Sequence, residues 1–264
     1  KANYPVEFMA ANLTNEINNP DTFADYVAEC SRMGIVLSAP DIHLSKKYFS
    51  VADGRIVFGL VGIKNGGAAA VDAILEERKA GGSFTSFLDF LERVDLKRVN
   101  KKVVETLIQC GVFDSLDGER TKLFGNLERA LDYAAVRREA RSSGQGSLFE
   151  DTGEIAFAFD HVPAWEPLEQ LGFERALLGR YFSGHPMDAY REEWQTRTTL
   201  DLRRASLTSA EREHQVVGLL KGVRSIVTKK GSTMAFGTVE DFHGEIEIVL
   251  FSEAYEKAGE LLST

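Results

Sequence analysis

The sequence is poor in the residues that build disulfide-stabilised, metal-binding and membrane-spanning proteins. Its 264 residues include two cysteines and five histidines, and no histidine lies at metal-ligand spacing from a cysteine or from another histidine, so no metal site is expected. No run approaches the ~18 apolar residues of a membrane-spanning helix, and the first residues lack the apolar core of a secretory signal. Cys30 and Cys110 are therefore expected to be small buried side chains in a reducing cytosol.

Net positive charge is also missing. The formal charge of -9 argues against a protein that coats nucleic acid over its whole surface, but it leaves room for local basic patches. The stretch 97–102 is basic, and 215–239 contains four basic residues and no acidic one. The chain has no P-loop and no cluster of carboxylates for catalytic metal ions, so no catalytic residue and no cofactor is expected within it.

Hydrophobic periodicity predicts a mostly helical first part and a β-rich last part. Four helices are predicted to begin at Asp21, at Ala68, at either Ser83 or Thr85, and at Asn100. A further helix is predicted to end at Gly184. A β-hairpin is predicted around Asp53-Gly54. From about residue 214, three strands and a helix match the first part of an OB-type barrel, which needs five strands to close. The fold class is therefore α+β, multidomain, with a helix-hairpin-helix region followed by a truncated OB-type barrel.

The segment "GLVGIKNGGAAAVDAIL", residues 59–75, has the layout of a helix-hairpin-helix motif. Asn65 and Gly67 suit turn positions of positive φ, because asparagine and glycine tolerate that region. Free amides at the start of the next helix can bind a phosphate, and Lys64 can add a charge contact. A plain loop-to-helix turn would give the same pattern. The candidate DNA-contacting residues of the turn are Gly62, Lys64, Asn65, Gly66 and Gly67.

Basic residues follow within about forty positions of the hairpin. They form either a phosphate-binding patch or simply a solvated helix face. These residues are Lys97, Arg98, Lys101 and Lys102.

The β-rich part has the composition of a platform for single-stranded nucleic acid, in which cations track the backbone and aromatic rings stack on bases. The phenylalanine could equally belong to the core. The candidate residues are Lys221, Arg224, Lys229, Lys230 and Phe236.

A polar linker at 141–153 carries Leu148 and Phe149 side by side. Each would gain roughly 1.5–3 kcal/mol on full burial in a partner, and Gln145 could supply orienting hydrogen bonds. The two side chains could instead fold back on the protein's own surface. The candidate partner-binding residues are Gln145, Ser147, Leu148 and Phe149.

Long stretches in a fixed order carry a family resemblance. The most specific are "FGLVGIKNGGAAAVDAILEER", "SFLDFLERVDLKRVNKKVVETLIQCGVFDSL", "SGQGSLFE", "LLGRYFSGHPMDAYREE" and "TKKGSTMAFGTVEDFHGEIEIVLF". Through nearly its whole length the chain resembles the C-terminal-middle portion of bacterial DNA polymerase III alpha subunits, the C-family replicative polymerases. The resemblance implies a DNA-directed DNA polymerase, a nucleotidyltransferase of the bacterial cytoplasm. In this family the palm aspartates that hold Mg²⁺ lie upstream, so the chain alone is expected to be inactive.

The resemblance also implies an organisation into five parts and a set of partners. The parts are the tail of the fingers domain (1–35), a helical helix-hairpin-helix domain (36–138), a linker with a clamp-binding motif (139–165), a helical segment (166–206) and a partial OB fold (212–264). The expected partners are the sliding clamp, primer-template DNA, the single-stranded template and other replisome subunits, with no membrane.

The family's turn commonly has an apolar residue where this chain has Gly66, which predicts a slightly looser hairpin. The alternative function is a non-catalytic nucleic-acid-binding or scaffold protein that combines a hairpin module with an OB module.

Overall fold

The chain divides into two compact units, Lys1–Ser183 and Gly184–Thr264. The computed structural model describes residues 3–142, 157–200, 202, 212–228 and 231–258. Within the described residues, no helix is long and apolar enough to cross a membrane.

The first unit is mainly helical and includes a small sheet. Its helices are α1 (Pro5–Asn15), α2 (Pro20–Arg32), α3 (Ala68–Gly81), α4 (Phe87–Arg93), α5 (Lys101–Gln109), α6 (Arg120–Gly125), α7 (Leu127–Ser142) and α8 (Pro167–Leu178). Its strands are β1 (Leu37–Ser38), β2 (Ser50–Ala52) and β3 (Arg55–Val57), in the order β1-β3-β2. Strands β2 and β3 form the antiparallel hairpin predicted at Asp53-Gly54, whereas β1 joins β3 in parallel.

Phenylalanines are the largest fully buried side chains in the core of this unit. The rings of Phe87 and Phe90 meet Phe113 edge-on, at centroid distances of 5.1 and 4.8 Å. Phe58 meets Phe49 in the same way at 4.7 Å. Burial of each such side chain stabilises the fold by roughly 1.5–3 kcal/mol. These contacts pack α4 against the segment that follows α5, and they join the residues that flank the β2–β3 hairpin. Cys30 and Cys110 are buried free thiols, as expected from the sequence.

Two of the predicted helix starts are wrong. Helix α2 is capped by Asn19, whose side chain accepts from the Thr22 amide, because Pro20 takes the first helical position in place of Asp21. Helix α4 is capped by Ser86, whose hydroxyl accepts from the Asp89 amide at 3.1 Å. Neither Ser83 nor Thr85 is the cap. A cap requires a local extended backbone as well as a suitable side chain, and sequence alone does not show which residue adopts it.

The predicted cap of α5 is confirmed, and the predicted end of α8 is wrong. The Asn100 side chain accepts from the Val103 amide at 3.1 Å. Helix α8 ends at Leu178 and not at Gly184, because Gly179 adopts a left-handed conformation and its amide returns to the Arg175 carbonyl.

The second unit contains the predicted three strands and helix. A 3-10 turn (Asp188–Tyr190) and α9 (Arg191–Arg197) precede β4 (Leu219–Val227), β5 (Thr233–Glu240) and β6 (Glu245–Leu250), and α10 (Ser252–Ala258) follows them. The sheet is antiparallel, in the order β4-β5-β6, with a bulge between Lys221 and Arg224. It is open rather than closed, which agrees with the predicted α+β class and a truncated OB-like fold.

Candidate nucleic-acid interface

A tight turn connects the small sheet to α3. A one-turn 3-10 helix, Leu60–Gly62, leads into it. Gly62 is packed so closely that an added Cβ would lie 2.9 Å from the Phe58 ring and 3.3 Å from Phe49. Asn65 and Gly67 have φ values of 65° and 69°, which are the conformations that the sequence predicted for them.

Gly66 closes the turn instead of loosening it. It is buried, its amide donates to the Ile63 carbonyl at 3.0 Å, and an added Cβ would come within 3.0 Å of that same oxygen. The glycine therefore allows the chain to fold tightly onto Ile63. The looser hairpin expected from the loss of an apolar side chain is not what the structure shows.

The first turn of α3 presents free donors to solvent. The Gly67 carbonyl accepts from the amides of Ala70 and Val71, while Ala68 and Ala69 are exposed. Among the described residues, no acceptor faces the amides of Ala68 and Ala69, and the turn contains no acidic residue. Such a helix start carries partial positive charge and directs N–H groups outward, so it can bind an anion.

Lys64 is held in place by its backbone, and its side chain is free to reach outward. Its amide donates to the Leu177 carbonyl at the end of α8, at 2.9 Å. Its side chain is exposed and forms no ion pair with any described residue. The ammonium group can therefore add a charge contact next to the free amides of α3.

The basic stretch after α4 is largely neutralised. Arg98 pairs with Glu76 of α3 at 2.6 Å, Lys101 with Glu128 at 3.3 Å, and Lys102 with Glu105 at 3.4 Å. The Lys97 amide donates to the Asp95 carboxylate at 3.0 Å, but its ammonium group forms no ion pair within the described part of the chain. Exposed ion pairs of this kind are weak, so a phosphate could replace the carboxylate as the partner of each cation. The phosphate-binding patch stays a prediction, and it has less free positive charge than the sequence suggests.

Three of the residues predicted for single-strand contact lie on one face of the second unit's sheet. Arg224 is directly opposite Phe236, and Lys221 is opposite Thr238, two residues further along β5. Lys221 is held by Glu240 and, at 3.0 Å, by Glu245, whereas Arg224 is exposed. Arg224 and the half-buried Phe236 are therefore the better placed to meet a ligand.

Other predicted residues lie outside the described residues. They are Gln145, Ser147, Leu148 and Phe149 of the linker, and Lys229 and Lys230 of the β4–β5 turn. In the part of the chain that is described, no group of three or more histidine, cysteine, aspartate or glutamate side chains could hold a metal ion.

The sequence did not predict the side chains that meet around Phe242 in the second unit. The Phe242 ring meets Trp194 at 5.2 Å and His185 at 4.8 Å, and the Arg191 guanidinium lies 4.1 Å from its centroid. Trp194 also donates to buried Asp241 at 3.3 Å. Trp194 and Asp241 are 47 positions apart in the chain, so no local pattern joins the two ends of this group.

Comparison with known proteins agrees with this geometry. Residues 34–123 match the family model described as "Helix-hairpin-helix motif". The chain is 41% identical over 97% of its length to "DNA polymerase III subunit alpha" of Treponema pallidum, and 43% identical over 97% to that of Borreliella burgdorferi. It is 35% identical over 99% to that of Escherichia coli K12. The chain spans 22–23% of the length of these relatives.

Proposed function

We infer the function of this chain from the premise that it corresponds to a segment of a DNA polymerase III alpha subunit. We propose that the whole protein extends a primer with deoxynucleoside triphosphates in the bacterial cytoplasm, within a replisome. In this proposal the chain positions duplex DNA through its hairpin, contacts single-stranded template through its OB region, and binds the sliding clamp through residues 145–149.

The start of α3 is the observation that carries the duplex-binding role. Its exposed amides at Ala68 and Ala69 lack acceptors among the described residues, and the turn before them is fixed by Gly62, Gly66 and Gly67. Because the donors are fixed in advance, phosphate binding does not require the turn to be reordered.

Lys64 strengthens this site by adding a full charge beside the amides. Main-chain donors and a lysine recognise the sugar-phosphate backbone and not the bases. Binding of this type is independent of sequence, which suits a protein that must hold every stretch of DNA that it copies.

The sheet face of the second unit supports the single-strand role. Exposed Arg224 can contact a phosphate, and the neighbouring Phe236 ring can stack on a base. The proposal gives Lys221 a smaller part, since two carboxylates already surround it.

The clamp-binding role is supported by the sequence of the linker. Leu148 and Phe149 are large apolar side chains in a polar segment. A short segment of this kind gains energy from burying a few anchors and loses part of it on ordering. We expect affinity around micromolar, strengthened in the full assembly by the DNA contacts.

A titration of labelled duplex with the 264-residue chain tests the hairpin role. Lys64→Ala should weaken binding and lower the slope of log affinity against log salt concentration by about 1, because one phosphate contact is lost. The matched control is Lys257→Ala, an exposed lysine of the second unit paired with Glu253. If both variants bind as the unaltered chain does, the hairpin role is wrong.

A further inference from the structure

The segment between β1 and β2 displays large side chains to solvent. In this segment, residues 41–48 ("loop 41–48"), Leu44 is 61% and Tyr48 51% exposed. The Lys46 side chain between them is also exposed. An aliphatic side chain, a cation and an aromatic ring thus lie within five residues at the surface. Binding residues are found disproportionately on loops that a rigid scaffold holds in position.

Internal hydrogen bonds hold loop 41–48 in one shape. One carboxylate oxygen of Asp41 accepts from the amides of His43 and Leu44, at 2.7 and 2.8 Å. The buried Ser45 hydroxyl accepts from the Asp41 amide at 2.9 Å and donates to the Phe58 carbonyl at 2.7 Å. The loop is therefore already ordered in the free protein, so binding a partner would not lose free energy to ordering it.

Helix α3 fixes the same loop from the other side. The Arg78 guanidinium donates to the carbonyls of Ile42 and Ser45, both at 2.6 Å. Lys47 donates to both carboxylate oxygens of Asp72, at 2.7 and 2.9 Å. Loop 41–48 is thus attached to the helix whose first turn presents the free amides.

Loop 41–48 lies directly against the entrance to the hairpin. The amides of Leu60 and Val61 donate to the carbonyls of Lys46 and Lys47, at 3.0 and 3.1 Å. A Cβ on Gly59 would come within 2.4 Å of the Tyr48 backbone, so the two segments are in close contact. Lys46 and Tyr48 consequently border the 3-10 turn that leads to Lys64 and α3.

The charge of this surface matches a phosphate backbone. Asp41 uses its carboxylate within the loop, and Asp72 is engaged by Lys47. Lys46 has no carboxylate partner among the residues that the structure describes. The free charge of loop 41–48 is therefore positive, as it is at Lys64.

We propose that loop 41–48 is a second arm of the DNA-contacting surface and binds the same duplex as the hairpin. Lys46 pairs with a phosphate, while Tyr48 and Leu44 pack against the neighbouring deoxyribose. The inference rests on the proposed function, since it extends the hairpin's surface. It adds three contact residues to those of the turn at 62–67.

Duplex DNA fits this surface better than a protein partner does. Three exposed side chains form a patch far smaller than the ~800 Å² per partner of a stable protein interface. A cation and an aromatic side chain on a loop that is hydrogen-bonded to the entrance of the hairpin have instead the composition of a nucleic-acid contact.

Fluorescence anisotropy of a labelled duplex, titrated with the 264-residue chain, tests the proposal. Lys46→Ala should raise Kd about eightfold at about 0.1 M salt, the effect of one counterion no longer released. Tyr48→Ala and Leu44→Ala should raise Kd without changing the salt slope, because they remove uncharged contacts. Leu168→Ala, at an equally exposed leucine of α8, should leave Kd unchanged. Circular dichroism verifies that each variant is folded.

The hairpin variant separates this inference from the proposed function. If Lys64→Ala weakens binding while Lys46→Ala and Tyr48→Ala do not, loop 41–48 is not a DNA arm and the hairpin role stands. If only the loop variants weaken binding, loop 41–48 contacts DNA without the hairpin, and both the hairpin role and the proposed extension of its surface are wrong. If the unaltered chain binds no duplex, both fail.

A label on the loop gives a second, independent readout. Leu44→Cys can carry an environment-sensitive fluorophore, because the native Cys30 and Cys110 are buried. Duplex should change the emission at position 44 and not at a Leu168→Cys control. Equal emission changes at both positions would overturn the proposal.

Discussion

Arg120 donates to Glu174 at 2.8 Å, although the two residues are 54 positions apart in the chain. Both side chains are nearly inaccessible, at 7% and 0% exposure. The second oxygen of Glu174 accepts from the amides of Phe182 and Ser183. A single carboxylate thus joins α6, α8 and the segment that follows α8.

Removing this carboxylate should destabilise the first unit. Glu174→Ala leaves a buried guanidinium and two amides short of an acceptor, and it should lower the free energy of unfolding by about 3 kcal/mol. Asp114 still pairs with Arg120 at 2.7 Å. The expected loss is therefore near the lower end of the ~3–5 kcal/mol that breaking a buried ion pair usually costs. Urea denaturation measures the effect. Glu169→Ala, an exposed glutamate of the same helix, is the control, and equal shifts in both variants would contradict the role of the pair.

Acid should weaken the second unit through His185. Burial lowers the pKa of His185 below its ordinary 6.5, against the opposing effect of nearby Glu240, Asp188 and Asp241. Its Nδ1 accepts from the Met187 amide at 3.2 Å, which requires the neutral ring. The unfolded chain therefore binds the proton more readily, and the stabilisation, complete above pH 6.5, is lost as the pH falls below that value.

Trp194 can report this loss, since its ring packs on Phe242 next to His185. In a Trp165→Phe background it is the only tryptophan of the chain. The thermal midpoint followed by Trp194 fluorescence should fall between pH 7 and pH 5. His185→Asn keeps an acceptor and does not titrate, so its midpoint should fall less. Identical pH profiles would exclude His185 as the cause.

Neither cysteine should react with thiol reagents while the protein is folded. Burial raises the pKa of Cys110 to about 12, and burial also raises that of Cys30. The reactive thiolate is therefore scarce, in addition to being enclosed. Ellman's reagent should detect no thiol in the native chain and both in urea. A thiol that reacts rapidly in the native state would contradict the packing around that cysteine.

The linker motif should be needed for clamp binding but not for DNA binding. The double variant Leu148→Ala with Phe149→Ala should abolish binding to an immobilised sliding clamp, because both proposed anchors are lost. Its duplex affinity should be unchanged. Val136→Ala with Leu168→Ala removes two exposed apolar side chains elsewhere and serves as the control. Unaltered clamp affinity in the linker variant would exclude residues 148 and 149 as the anchors.

Features set by neighbouring residues were predictable from the sequence. The Asp53-Gly54 hairpin, the Asn100 cap and the positive φ of Asn65 and Gly67 each depend on a few adjacent positions. The same local reasoning placed three strands and a helix at the end of the chain. It failed at the Asn19 cap and at the end of α8, where the backbone path decides between several suitable residues.

Features set by distant residues were not predictable. Glu76 neutralises Arg98 from 22 positions away, and Glu240 approaches Lys221 across the sheet. These pairings reduce the free charge of two predicted patches. Conversely, the sequence shows Lys46 and Tyr48 but not their contact with the 3-10 turn at Leu60, which brings them to the candidate interface.

The donors at the start of α3 belong to the main chain, and this gives them an unusual tolerance to mutation. Every amino acid except proline supplies the same N–H group, so replacing the Ala68 or Ala69 side chain leaves the donor in place. Proline is also accepted at the first position of a helix, so Ala68→Pro would delete one donor while keeping the helix. Random substitution can therefore change how α3 packs far more easily than it can remove the donors of the proposed phosphate site.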